Sequence, residues 1–163
     1  VAGMGSVLQG DDGFGIEVIK ELSSNSLPKD IETIEVGIGG ISLVQELMSP
    51  SDFGMLIIVD AISRGGERGE VKILEVDIPR LQEMPLPEQQ EFLADIHYTT
   101  PTKVLILSKA LGVLPRKTFI VGCEIENRDD VGIGLSEPVQ KAVKEAGSTI
   151  KKMAKEYWNG TNG

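Results

Sequence analysis

Residues 55–61 read MLIIVDA. An unbroken aliphatic run of this kind offers no polar face to water, so as a strand it has to be covered on both sides, as parallel strands are. A sheet buried on both faces needs a helical layer on each. The rest of the chain supplies strand and helix patterns in alternation, which predicts an α/β three-layer sandwich: a mostly parallel, twisted sheet of about five strands with helices on both faces. The 163 residues suffice for one sizeable core. Without repeats, linkers or low-complexity segments, 1–163 reads as a single domain.

Residues 1–5 look like the end of a strand, IETIEV (31–36) alternates like one, and TFIVGCEI (118–125) is another. VKILEV (71–76) follows the 55–61 strand after the tight connection SRGGERGE, which predicts a hairpin partner for it. A helix is expected over 13–24, with Ile16, Ile19 and Leu22 inward and Glu17, Lys20 and Glu21 outward. SLVQELM is a short helix. Thr99 or Thr100 can cap a helix that holds Pro101 in its first turn. Ser136 can cap a last helix, with Pro138 in its first turn and a stripe of Val139, Ala142, Val143, Ala146, Ile150, Met153 and Tyr157. Residues 77–96 carry Pro79, Pro85 and Pro87 and no clean period, and read as a loop in the manner of a lid.

The net charge of −9 argues against nucleic acid, whose phosphates call for clustered Lys and Arg. Lys141, Lys144, Lys151, Lys152 and Lys155 are spread along the last helix among Glu145 and Glu156, as on a solvated face. The one cysteine, Cys123, allows no disulfide within the chain and suits a reducing cytoplasm. Its apolar surroundings predict a buried small side chain. No apolar run approaches the roughly 18 residues of a membrane span, and no signal-peptide pattern is present. The chain begins at Val1, inside a strand pattern and without an initiator Met, so a few preceding residues are expected.

The opening VAGMGSVLQGDDGFGIEVIKEL has the outline of a nucleotide-binding unit: a strand, a glycine-rich turn, a helix. It matches neither G-x-G-x-x-G nor a P-loop. A diphosphate beside Asp11 and Asp12 would meet like charges, at a cost on the order of several kcal/mol in a partly desolvated site. Either both aspartates cap the helix, or one caps it and the other meets a cation. Asp60 ends the aliphatic run and should emerge at the same sheet edge, bonded to loop N–H groups or serving a site. His97, the one histidine, precedes the helix that starts near Pro101 and belongs to the same edge. Two carboxylates and an imidazole suit a borderline divalent metal such as zinc, nickel, manganese or iron, with positions left open for water or substrate.

GMGSVLQGDDGFG, LIIVDA, a histidine just before a helix, and IVGCEIENRDDVGIGLSEPVQKAV together resemble the hydrogenase maturation endopeptidases. That family's usual forms are G-x-G-N-x-L-x-x-D-[DE]-x-x-G near the start and G-x-E-P followed by G-x-G-L-S toward the end. The resemblance runs from Val1 to about Tyr157. It implies an endopeptidase that clips the C-terminal extension from the large-subunit precursor of a nickel–iron hydrogenase after nickel insertion. It carries the family's metal-contacting residues onto Asp12, Asp60 and His97, leaving Asp11 a structural role. Three departures stand out. Ser6 replaces the usual Asn, Ile38 in GIGGIS occupies the position of an acid beside a glycine pair, and Ile125 replaces the Pro of G-x-E-P.

The resemblance implies that nickel arrives in the substrate, already held by precursor cysteines. Asp12, Asp60 and His97 would engage it, making cleavage conditional on metal insertion. The metal would polarise the scissile carbonyl, and a carboxylate not bound to it would serve water as a general base. The partner expected is the hydrogenase precursor, with no nucleic acid and no membrane, in the cytoplasm. Two alternatives are a non-proteolytic metal-site chaperone or scaffold of the same fold, and a stand-alone metallohydrolase with a permanent metal.

Overall fold

The strand β3 (Met55–Ile62) is central, as its sequence requires. The computed structural model describes residues 1–24, 27–50, 52–94, 100–126 and 131–162. Side chains alternate across β3. Ile57, Val59 and Ala61 enter one core together with Phe14, Val18 and Leu22 of α1 (Phe14–Ser24) and Val139, Ala146 and Ile150 of α5 (Glu137–Asn162). Leu56 and Ile58 enter the other, with Leu43 and Leu47 of α2 (Ile41–Leu47) and Val104 and Leu105 of α4 (Pro101–Ala110). Each such aliphatic side chain contributes about 1.5–3 kcal/mol on burial, so both faces of the sheet are worth covering.

β1 (Ala2–Met4) and β5 (Lys117–Glu124) flank β3, both parallel to it. β2 (Ile34–Gly37) lies parallel on the outer side of β1, and β4 (Val71–Glu75) antiparallel on the outer side of β5, in the order β2-β1-β3-β5-β4. This is the mostly parallel five-stranded sandwich expected. The hairpin expected between β3 and β4 is not formed: β4 pairs with β5. Both edges of β3 are already taken by β1 and β5, so the connection 63–70 crosses the end of β5 instead. It is fastened there by Gly69 N–H to the Glu124 carbonyl (2.8 Å) and Arg64 N–H to the Glu124 carboxylate (2.9 Å).

The loop expected over 77–96 also differs. It holds a 3-10 turn (Leu81–Glu83) and α3 (Leu86–Ala94). Pro87 falls in the first turn of α3, where no N–H is needed. Residues 85–88 are exposed, so the start of this helix carries no apolar signal from which to be recognised. Thr100 caps α4 as expected, its Oγ1 accepting from Lys103 N–H, with Pro101 first in the helix. The expected α5 stripe is buried from Val139 to Ile150. Asp95, Ile96 and Thr99 lie outside the described residues, as does His97.

Connections from β1 and β3 leave in opposite directions, one toward β2 and the other toward β4 and β5. Adjacent strands whose connections diverge open a crevice beyond their carboxyl ends, where α/β folds bind ligands.

Candidate functional site

That crevice receives the acidic turn. Asp11 and Asp12 lie in a 3-10 turn, Gly10–Gly13, leading into α1. Gly15 seats the helix directly over β1 and β3, since a Cβ there would overlap the carbonyl oxygens of Met4 and Val59. Gly5 has φ +113° and faces the Asp12 backbone. Asp12 is 7% exposed, and its Oδ2 accepts the Ser6 N–H at 2.7 Å. The Ser6 hydroxyl in turn accepts the Leu8 N–H at 3.3 Å. Ser6 thus serves the loop as an oxygen acceptor where the family pattern has Asn.

Asp60 is 4% exposed and lies near the carboxyl end of β3. It shares the alternation phase of Leu56 and Ile58, which places its carboxylate on the α2–α4 face. In sequence, His97 stands just ahead of α4. The fold therefore brings Asp12 and Asp60 to the same end of adjacent elements, and the position of His97 lies outside the described residues. Among the described residues, no group of three or more His, Cys, Asp or Glu is placed to hold a metal ion.

Asp11 does different work from Asp12. Its Oδ1 accepts the Ser136 N–H at 2.6 Å, and its Oδ2 accepts the Ser136 hydroxyl at 2.8 Å. Arg68 Nε and Nη2 donate to the same Oδ2 at 3.0 and 2.7 Å, while Arg68 Nη1 reaches Glu126 at 3.1 Å. Burial alone would raise the Asp11 pKa, but the Ser136 N–H, the Arg68 guanidinium and the Ser136 hydroxyl outweigh it and hold the carboxyl below its ordinary value. Asp11 is thus a tie between the acidic turn, the β3–β4 connection and the start of α5. The Ser136 side chain, expected as a cap for α5, is turned to this tie instead.

Sequence reading missed Arg68, Glu124 and Lys72. Glu124 ends an aliphatic strand just as Asp60 does, so the same signal pointed to it. The Arg64 N–H and the Lys72 ammonium (2.9 Å) hold its carboxyl below the usual range, and it fixes the β3–β4 connection. Arg68 had only its place among glycines to mark it. Cys123 is fully buried, as expected, and burial, followed by the nearby Asp11 charge, pushes its thiol up to about 12. A thiol that remains protonated at neutral pH is no nucleophile.

The turn after β2 is joined to the same edge, with Gly5 N–H donating to the Gly37 carbonyl at 3.1 Å. Ile38, where the family pattern places an acid, is 59% exposed there.

Comparison with known proteins gives a consistent picture. The family model for hydrogenase maturation proteases matches residues 16–153. A Methanocaldococcus jannaschii protein named as a hydrogenase maturation protease is 32% identical over 90% of this chain and 89% of its own length. Among solved structures, the hydrogenase 2 maturation peptidase of Thaumarchaeota archaeon SCGC_AB-539-E09 is 29% identical, with a TM-score of 0.65 over 94% of this chain and 95% of that one. The hydrogenase maturating endopeptidase HybD of E. coli shares the fold, with a TM-score of 0.71 at 22% identity, over 96% of this chain and 91% of its own.

Proposed function

Because the chain belongs to the hydrogenase maturation protease family, endopeptidases that process hydrogenase large subunits, we propose that its substrate is a nickel–iron precursor and that Asp12, Asp60 and His97 engage the nickel this substrate carries. What supports the reading is that Asp12 and Asp60 are both buried and stand at the carboxyl ends of adjacent strands, Asp12 in the turn after β1 and Asp60 near the end of β3. Carboxylate oxygens suit a divalent ion still open to further ligands. Nickel held by the precursor would fix the scissile peptide against this edge and polarise its carbonyl. A carboxylate not engaged by the metal would take a proton from the attacking water. The lone thiol, buried and protonated, supports a route without a covalent intermediate. The reading places the reaction in the cytoplasm, and among the described residues no helix is long and apolar enough to cross a membrane.

The test is incubation of Asp12→Asn and Asp60→Asn with the nickel-loaded precursor, reading the mass of the large subunit. Each substitution should slow cleavage by about a hundredfold or more, the range of a lost acid–base or metal-contacting group, with the far-ultraviolet spectrum unchanged. Wild-type rates in both would defeat the assignment. Elemental analysis of the purified protein addresses the stand-alone metallohydrolase: stoichiometric zinc needed for activity would favour that reading.

A further inference from the structure

Val131 and Ile133 are 93% and 89% exposed, more than any other large aliphatic side chain among the described residues. They flank Gly132, which forms an isolated parallel bridge with Gln9. Gly10 N–H donates to the Gly132 carbonyl at 2.8 Å, and Gly132 N–H donates to the Leu8 carbonyl at 3.1 Å. Both polar backbone groups of Gly132 are therefore turned to the acidic loop. This single bridge uses no backbone group of Val131 or Ile133, and among the described residues those groups have no hydrogen-bond partner. A third exposed aliphatic side chain is Leu8, 63% exposed, whose carbonyl accepts the Gly132 N–H.

The result is an isolated bridge flanked by unpaired backbone groups, with three exposed aliphatic side chains beside it. Folded proteins ordinarily blunt such edges with charge, proline or a covering element. An exposed edge beside alternating side-chain seats is what binds an extended peptide by strand addition. The edge is also continuous with the site. Gly10 is part of the bridge and leads straight into Asp11 and Asp12, and Ser136, just beyond Ile133, is gripped by Asp11.

We infer that residues 131–133 receive an extended segment of the polypeptide substrate, next to the scissile bond, as an added β-strand whose apolar side chains seat on Leu8, Val131 and Ile133. The inference rests on the reading above that this edge cleaves a polypeptide. It adds an aliphatic requirement in the substrate near the cut.

Two measurements test it. In amide hydrogen exchange of the wild-type protein, the Val131 and Ile133 amides should be slowed by nickel-loaded precursor and not by the free protein at raised concentration. In cleavage kinetics, the double variant V131S/I133S should raise KM roughly tenfold while kcat stays within about twofold, as lost aliphatic burial on binding implies. Unprotected amides, or an unchanged KM, would overturn the docking edge while wild-type cleavage left the site assignment standing. Protection at high protein concentration without precursor would assign the edge to a second copy and overturn it as well. Failure of the wild type to cut the precursor would remove the site assignment and this inference together.

Discussion

The Ser136 N–H donates to Asp11 Oδ1 across 2.6 Å, joining residues 125 positions apart in the chain. With Arg68 on the other oxygen, Asp11 closes the acidic turn onto the start of α5. Its neighbour Asp12 accepts the Ser6 N–H of its own loop. Asp11→Asn should therefore cost about 1.5–3 kcal/mol of stability, the range for a charged hydrogen bond, and leave most of the cleavage activity, because an amide oxygen still accepts.

The same contacts set a pH dependence. The folded Asp11 carboxyl titrates below its ordinary value, so its contribution is fully present above the unfolded pKa of about 3.9. It is lost as pH falls through the lower folded value. Thermal melts of wild type and Asp11→Asn should therefore differ most near neutral pH and converge as pH falls through the lowered folded value. A difference constant over that range would show that the charge of Asp11 is not what holds the turn.

Gly5→Ala should damage the site more than Gly37→Ala. Both glycines have positive φ, +113° and +67°, and each alanine meets a backbone penalty of about 1–2 kcal/mol. At Gly5 the new methyl also overlaps the Asp12 carbonyl oxygen, whereas at Gly37 nothing lies within 4 Å. Cleavage rates normalised to folded protein should fall sharply only for Gly5→Ala. Equal rates would mean that the Asp12 turn tolerates displacement.

Cys123 should be inert. Its thiol is buried and pushed up to about 12, so iodoacetamide at mildly alkaline pH should label only unfolded protein. Rapid labelling of the folded chain with loss of cleavage would return the thiol to consideration as a nucleophile.

What could be read ahead of the structure was what local pattern encodes. MLIIVDA predicted a doubly covered strand, the α5 stripe predicted its buried face, and Thr100 with Pro101 predicted the start of α4. The partner of β4 could not be read, because the choice between β3 and β5 depends on which edges other strands have filled. α3 went unread because its first turn, residues 86–88, is exposed and carries no apolar period. Asp60 and Glu124 sent the same signal, an acid after an aliphatic strand, and the sequence did not show that Glu124 is taken up by Lys72 and a loop N–H from Arg64. The tie from Arg68 to Asp11 spans 57 positions and leaves no periodic trace.

The segment 77–94 is expected to take part in choosing the precursor. It joins the edge strand β4 to the His97 region and presents an exposed Leu86 at the start of α3. Exchanging it for the corresponding segment of a related protease should change which precursor is cut and leave any dependence of cleavage on the precursor's nickel unaltered. Unchanged partner choice would move specificity to the turn around the exposed Ile38.

The central claim is that the acidic edge reads nickel carried by the substrate. One measurement tests it most directly: the mass of the large subunit after incubation of the metal-free protein with matched nickel-loaded and nickel-free precursors. Loss of the C-terminal extension from the nickel-loaded precursor alone is the expected result. Equal cleavage of both precursors would contradict it.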